Sequence, residues 1–314
     1  MRKFTSVEDV RNIPELVDSA FRMKAAPHAY MDSGRNKTLA LLFFNPSLRT
    51  RLSTQLAAQN LGMNVVSMDA AAGWQLEFEE GVVMNGDKAE HIKEAAAVVS
   101  QYADIIGIRS FPTLTDRQKD YEDCVLNKFV QYARVPVVSL ESAILHPLQS
   151  LADLVTIQEF KTVPRPKVVL TWAPHPRSLP QAVANSFCEW MNAADVDFTI
   201  AQPEGCELHP RFIGNAKVEY NQARALENAD FVYAKNWSSY KFYGQNVVKN
   251  LDWTVTAEKM ARTNNAKFMH CLPVRRNIVV TDEVLDGPQS IVIEQANNRT
   301  FAAQAVLKAM LDAL

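Results

Sequence analysis

Five short stretches of the 314-residue chain hold side chains that could bind an anion or serve as polar ligands beyond apolar runs. Asn45-Pro46-Ser47-Leu48-Arg49-Thr50-Arg51 follows an apolar run and leads into a segment of helical period. A helix N-terminus offers unpaired N–H groups and partial positive charge. Ser47 and Thr50 add hydroxyl donors there, and Arg49 adds a planar fork matched to phosphate. That is an oxyanion site made without a glycine-rich loop. On spacing alone, an N-capped surface helix with two solvated arginines reads the same way. Arg109 closes another apolar run, and His146-Pro147-Leu148-Gln149 opens a helical segment. His270-Cys271-Leu272-Pro273 ends a third run, and Arg299 stands in Asn297-Asn298-Arg299 near the start of the last helical segment. Taken singly, His146 reads equally as a structural loop histidine and Arg109 as a buried salt-bridge partner.

The elements that must hold these residues alternate in type. Apolar runs at 38–44, 64–68, 104–109 and 136–140 read as strands. Helical spacing is read at 51–61, which Gly62 stops, at 90–102 and at 120–132. After a helix at 148–160, the breaker at 162–166 introduces strands at 167–172, 197–201, 231–234, 267–271 and 290–293. Helices at 179–193 and 223–228 separate them, and a helix at 294–314 closes the chain. Alternation of this kind predicts an α/β protein with two doubly wound parallel-sheet domains, residues 1–147 and 148–314, the terminal helices packed together. In such sheets ligands bind beyond the carboxyl ends of the strands. That is where the stretches above fall.

Composition narrows the class. The formal net charge of −2 argues against a general nucleic-acid binder. The four cysteines, Cys124, Cys188, Cys206 and Cys271, form no C-x-x-C pair and read as scattered thiols of a reducing compartment. No signal-type N-terminus and no apolar run of membrane length is present, so a cytoplasmic location is expected. No G-x-G-x-x-G or Walker pattern follows any strand, which weighs against a nucleotide-dependent enzyme.

Ser47-Leu48-Arg49-Thr50-Arg51 after a strand resembles the S-x-R-T-R signature of the aspartate and ornithine carbamoyltransferases. Further matches follow in the family's order: Arg109, His146-Pro147-Leu148-Gln149 for H-P-x-Q, His270-Cys271-Leu272-Pro273 for the H-C-L-P of the ornithine branch, and Arg299. The resemblance covers essentially the whole chain. It implies a carbamoyl phosphate site of Ser47, Leu48, Arg49, Thr50, Arg109, His146, Pro147, Leu148, Gln149, Cys271, Leu272 and Arg299. In it, Ser47, Arg49 and Thr50 would hold the phosphate. Arg109, His146 and Arg299 would surround the carbonyl oxygen, and Gln149 with the backbone at Cys271 and Leu272 would hold the carbamoyl amine. Arg109, His146, Cys271 and Arg299 are the catalytic expectation, with Cys271 orienting the attacking amine and not forming a covalent bond. Trp74, in the loop 71–75, would reach carbamoyl phosphate in a neighbouring subunit, as expected for a homotrimer. No metal or organic cofactor is implied.

The second half resembles the N-acylornithine carbamoyltransferases, through residues 171–177, 179–183 and 233–237. No Ser-Met-Gly loop of the free-ornithine type occurs, and H-C-L-P stands where aspartate enzymes have H-P-L-P. The resemblance implies Glu141, His175, Lys235 and Leu272 as acylornithine contacts. Acetyl enzymes carry a glutamate, and succinyl enzymes a proline, at the position matched by Ala89. A neutral alanine removes the repulsion a succinyl carboxylate would meet. Lys88, Arg177, Arg275 and Arg276 are candidate cations for that carboxylate. N-succinyl-L-ornithine is therefore the expected acceptor and N-acetyl-L-ornithine the alternative. The position matched by the carboxylated lysine of some acetylornithine enzymes is Val279, so that modification is not expected. Carbamoyl phosphate would bind first, and the free δ-amine, a lysine-like group with pKa about 10.4, must lose a proton before attacking. Domain closure would bring the reactants together. A catalytically silent regulatory relative is the remaining alternative, though it would need a broken ligand set.

Overall fold

A computed structural model describes residues 1–70, 74–249 and 251–314. Ala71, Ala72 and Gly73 of the Trp74 loop lie outside the described residues. The chain forms two compact units: Met1–Leu148 with Arg299–Leu314, and Gln149–Asn298.

In the first unit the strands are β1 (Lys3–Phe4), β2 (Thr38–Phe43), β3 (Asn64–Asp69), β4 (Leu76–Glu77), β5 (Glu90–His91), β6 (Ile105–Arg109) and β7 (Val137–Glu141). Five of them make one parallel sheet in the order β1-β7-β6-β2-β3, and β4 pairs with β5 as a separate parallel ribbon. Its longer helices are α1 (Ile13–Ala25), α2 (Arg49–Asn60), α3 (Ile92–Tyr102) and α4 (Cys124–Tyr132). The central strands are apolar along their length because both faces are covered: every residue of β6 and β7 is buried. Ile92, Ala95 and Ala96 of α3 and Leu126 and Phe129 of α4 pack on one face against Leu42, Ile106 and Ile108. Gly62 ends α2 at a φ of 78°, and a Cβ there would lie 2.1 Å from the Met31 carbonyl oxygen, so only glycine fits.

Helix α5 (Pro147–Phe160) carries the chain into the second unit. There β8 (Lys167–Trp172), β9 (Asp197–Ala201), β10 (Lys217–Glu219), β11 (Phe231–Lys235) and β12 (Lys267–Met269) form a parallel sheet in the order β10-β9-β8-β11-β12. Helix α6 is Ala182–Ala193, and α7 (Val292–Leu311) returns the chain to the first unit at Arg299. There Gln304 accepts from Asn60 at 3.1 Å and donates to the Pro27 carbonyl, just beyond α1, at 2.6 Å.

The doubly wound parallel architecture is the one expected, with differences in several of its elements. The apolar run 290–293 is not a strand: Ser290 makes one bridge to Phe268 and the helix begins at Val292. Ile291 and Val292 are buried at the helix start while Ile293 is exposed, and a short apolar run alone cannot distinguish such a start from a strand. The fifth strand of that sheet is β10, whose exposed Lys217 and half-buried Val218 and Glu219 give little apolar signal. The segment 120–132 breaks at Asp123, which takes a left-handed φ of 47° before α4. Glu90–His91 belongs to β5, and α3 starts only at Ile92.

Candidate active site

The motif residues of the first unit collect at the carboxyl ends of β2, β6 and β7. Helix α2 opens at Leu48 with no side chain capping its first turn and no acid within it. Its N-terminal partial charge is therefore uncompensated. Ser47 and Leu48 line a cleft of about 680 Å³ together with Arg51 and Asp69. Thr50 is buried and its hydroxyl accepts from Arg299 Nη2 at 2.6 Å. The two motif arginines divide their work. Arg51 is ion-paired with Asp69 and stacks over Phe43 at 4.4 Å, which makes it structural. Arg49 is half-buried, and among the described residues it makes no ion pair.

Arg109 ends β6. A register irregularity in the β6–β7 pairing places it opposite Glu141, although the preceding pairs run Ile106–Val137 to Ile108–Ser139. Its Nη1 donates to the carbonyls of Asn45 and Pro46 at 3.0 and 2.7 Å, tying it to the loop that leads into α2. Its Nη2 donates to Glu141 Oε2 at 3.0 Å, and Phe111 lies 4.1 Å beneath the guanidinium. Its Nε is buried with no hydrogen-bond partner among the described residues. His146 Nε2 sits 3.7 Å from the same Glu141 oxygen. Arg109, Glu141, His146 and Arg299 are each at most 7% exposed, so these charges act with little water between them. Breaking such a buried pair costs about 3–5 kcal/mol, whereas forming it gains less. Glu141, expected to contact an acylornithine, accepts from Arg109 at 3.0 Å and lies 3.7 Å from His146. Pro147 and Leu148 are buried in the first turn of α5.

The β4–β5 ribbon carries two further candidates. Trp74 is half-buried, packs against the core of its own unit, and donates its indole N–H to Glu90 at 2.8 Å. Ala89 is exposed, and its N–H is held by the Gln75 carbonyl at 3.0 Å. The loop between them is anchored by Glu80, which accepts from Tyr132 at 2.6 Å and Lys128 at 3.0 Å. Those donors, Tyr132 first, hold its carboxyl down at about 2.

In the second unit, Leu272 takes a left-handed φ of 55°, and the bond to Pro273 is cis. The conformation is costly for leucine. It is held by the Leu272 N–H on His270 Nδ1 at 2.9 Å, while the His270 N–H donates to Gln295 Oε1 at 2.9 Å. Cys271, between them, is half-buried. All four cysteines are unbridged, and burial pushes the Cys206 thiol up to about 12, which leaves it inert. Lys235 ends β11 at 9% exposure, and among the described residues no carboxylate pairs with it. His175 feels it: burial first, then the charges of Lys235, Arg275 and Arg177, hold the imidazole below its usual value. Arg177 and Arg275 are exposed, and Arg276 is consumed by Asp282 and Asp286 at 2.7 Å each. Gln149 is buried and donates to Asp153 at 2.7 Å. Asp153 was not singled out from the sequence, although its position four residues after Gln149 on one helix was a usable signal. Val279 is a buried apolar residue. Among the described residues no group of three or more His, Cys, Asp or Glu side chains could hold a metal ion.

Residues 2–159 match the carbamoyl-P binding domain of the aspartate/ornithine carbamoyltransferases, and residues 180–310 match their Asp/Orn binding domain. The chain belongs to this family. An N-succinylornithine carbamoyltransferase of Bacteroides thetaiotaomicron is 57% identical, with 100% of each chain covered. An N-acetylornithine carbamoyltransferase of Xanthomonas campestris pv. campestris is 39% identical over 88% of each chain. Among solved structures, a glutamate-to-valine variant of N-acetyl-L-ornithine transcarbamylase, complexed with carbamyl phosphate and N-succinyl-L-norvaline, superposes with a TM-score of 0.93. It is 36% identical and covers 99% of this chain and 100% of its own. The carbamoyltransferase motifs therefore sit in that family's fold, with the first matched domain spanning the Arg109–Glu141–His146 cluster.

Proposed function

We propose that this chain transfers the carbamoyl group of carbamoyl phosphate to the δ-amine of N-succinyl-L-ornithine, giving N-succinyl-L-citrulline and phosphate in arginine biosynthesis. The observation that carries the reading is the buried cluster of Arg109, His146 and Arg299 beside the uncapped start of α2. Ser47, Arg49, Thr50 and the α2 N–H groups take the phosphate. Arg109, His146 and Arg299 stabilise the oxyanion as the amine attacks, and Glu141 holds the first two in place. Gln149 and the backbone at Cys271 and Leu272 take the carbamoyl amine, and Cys271 orients the nucleophile. Lys235 and His175 receive the acylornithine carboxylate. The amine gives up one proton before attack, and the departing phosphate accepts the second. Positioning and charge stabilisation supply the acceleration.

For the acceptor, the support is Ala89 and the full-length similarity to a succinylornithine enzyme. Variants of the acetylornithine enzyme that replace one glutamate by alanine, valine or serine are complexed with N-succinyl-L-norvaline. The test is product formation from carbamoyl phosphate with ornithine, N-acetylornithine, N-succinylornithine and aspartate in turn. Turnover of only free ornithine or aspartate would overturn the assignment.

A homotrimer is part of this reading. Leu52 and Leu56 on α2 and Val66 on β3 are 58%, 48% and 59% exposed, an apolar surface suited to a second copy of the chain. In that assembly Trp74 would leave Glu90 to reach a neighbouring subunit. A cytoplasmic location also belongs to the reading, and no described helix is long and apolar enough to cross a membrane.

His175 gives a pH signature. Its lowered pKa keeps the imidazole neutral at pH 7, and a carboxylate arriving beside Lys235 raises that pKa again. Binding then takes up a proton, so affinity rises as pH falls toward the usual imidazole value of about 6.5. N-succinyl-L-norvaline, which has no δ-amine, isolates the effect. Its Kd is expected to tighten about threefold or more from pH 8 to pH 6, and His175→Asn to flatten the profile. A flat wild-type profile in calorimetry would remove His175 from the site.

A further inference from the structure

Asp153 stands four residues after Gln149 on α5 and is fully buried within the second unit. Its Oδ1 accepts from two amides, Gln149 Nε2 and Gln295 Nε2, each at 2.7 Å. Gln295 turns its own oxygen to the His270 N–H. The Tyr233 phenol is buried beside them, and burial, then the Asp153 carboxylate, hold it protonated. An amide side chain has a donor end and an acceptor end of nearly equal shape, and its partners decide which faces which way. The Asp153 oxygen serves both amides as acceptor, so both NH2 groups point toward it. The Gln149 carbonyl oxygen is consequently turned away from Asp153.

We propose that Asp153 is a positioning residue that locks Gln149 with its carbonyl outward, as the acceptor for the carbamoyl amino group. The inference rests on the reading above, in which Gln149 meets that group. The carbamoyl NH2 only donates. A reversed Gln149 would face it with a second NH2, losing one hydrogen bond and opposing two donors. Gln295 supplies the second bond that holds the carboxylate, and it links the same oxygen to the backbone of His270-Cys271-Leu272.

Asp153→Ala makes room for water, which donates as readily as it accepts and so no longer fixes the amide. The expected result is a fall of roughly tenfold to a hundredfold in kcat/KM for carbamoyl phosphate, with the KM of the acylornithine moving less than about threefold. Asp153→Asn retains a carbonyl oxygen for both amides and is expected to recover most of the loss. In a Gln149→Ala background, Asp153→Ala is expected to cost less than about threefold more, because the group it positions is gone. Asp153→Ser, whose hydroxyl also donates and accepts, carries the same expectation should the alanine variant fail to fold. Fully additive losses, or an asparagine variant as damaged as the alanine one, would overturn the inference while wild-type turnover leaves the reading of Gln149's site intact. A wild-type protein that neither binds nor consumes carbamoyl phosphate would overturn that reading and this inference with it.

Discussion

Arg109→Met is expected to lower kcat/KM for carbamoyl phosphate by about a thousandfold, the scale of losing a preorganised cation from a buried oxyanion site. Arg109 is 6% exposed and tied to the Asn45 and Pro46 carbonyls, so in the proposed reaction it would meet the developing charge without reorganising. Its loss also removes a 3.0 Å ion pair from the buried Glu141 carboxylate, which costs about 3–5 kcal/mol of stability. The two consequences separate in a second variant. Glu141→Gln added to Arg109→Met removes the stranded charge and should restore much of the melting temperature, while the rate stays low. Thermal melts and steady-state kinetics on the pair provide the measurement. A single variant within tenfold of the wild-type rate would show that Arg109 serves the fold alone.

The second large effect is on substrate choice. Ala89→Glu is expected to move the ratio of kcat/KM values from succinylornithine toward acetylornithine by about 10–30-fold. Two carboxylates roughly 5 Å apart repel by a few kcal/mol near a protein surface, and by on the order of 1–2 kcal/mol once salt and exposure are allowed for. The Ala89 N–H is fixed on the Gln75 carbonyl, so a longer side chain is carried from a defined backbone position. In the single chain the neighbouring Glu90 carboxylate accepts the Trp74 indole N–H, so the ratio is read against wild-type protein carrying the same Glu90. The shift should shrink as ionic strength rises. An unchanged ratio would remove Ala89 as the discriminator.

The parts of this protein legible in the sequence were those that depend on runs of residues. The buried strands β2, β6, β8 and β11 are continuous apolar stretches, and the polar end of β6 marked Arg109, whereas Lys235 was reached through the resemblance. Weakly apolar elements were not legible. β1 and β4 have two residues each, and β10 has only three, one of them exposed. Partnership was less legible than position. The Glu141 carboxylate on Arg109 and His146 depends on a pairing irregularity that no local pattern announces. Asp153 shares a helix with Gln149, but its second partner, Gln295, is 142 residues away in sequence.

The division of the chain at Leu148 and Arg299 has a practical consequence. A fragment ending at residue 148 would lack Arg299 and the buried Ala302, Ala303 and Val306, so it should neither fold well nor retain phosphate. The Met1 ammonium lies 3.1 Å from the Ala309 carbonyl, so the two ends of the polypeptide are close together. A circular permutant that joins them through a short linker and opens at Gly287 would make the whole first unit one uninterrupted stretch. It could then be trimmed out and studied in isolation.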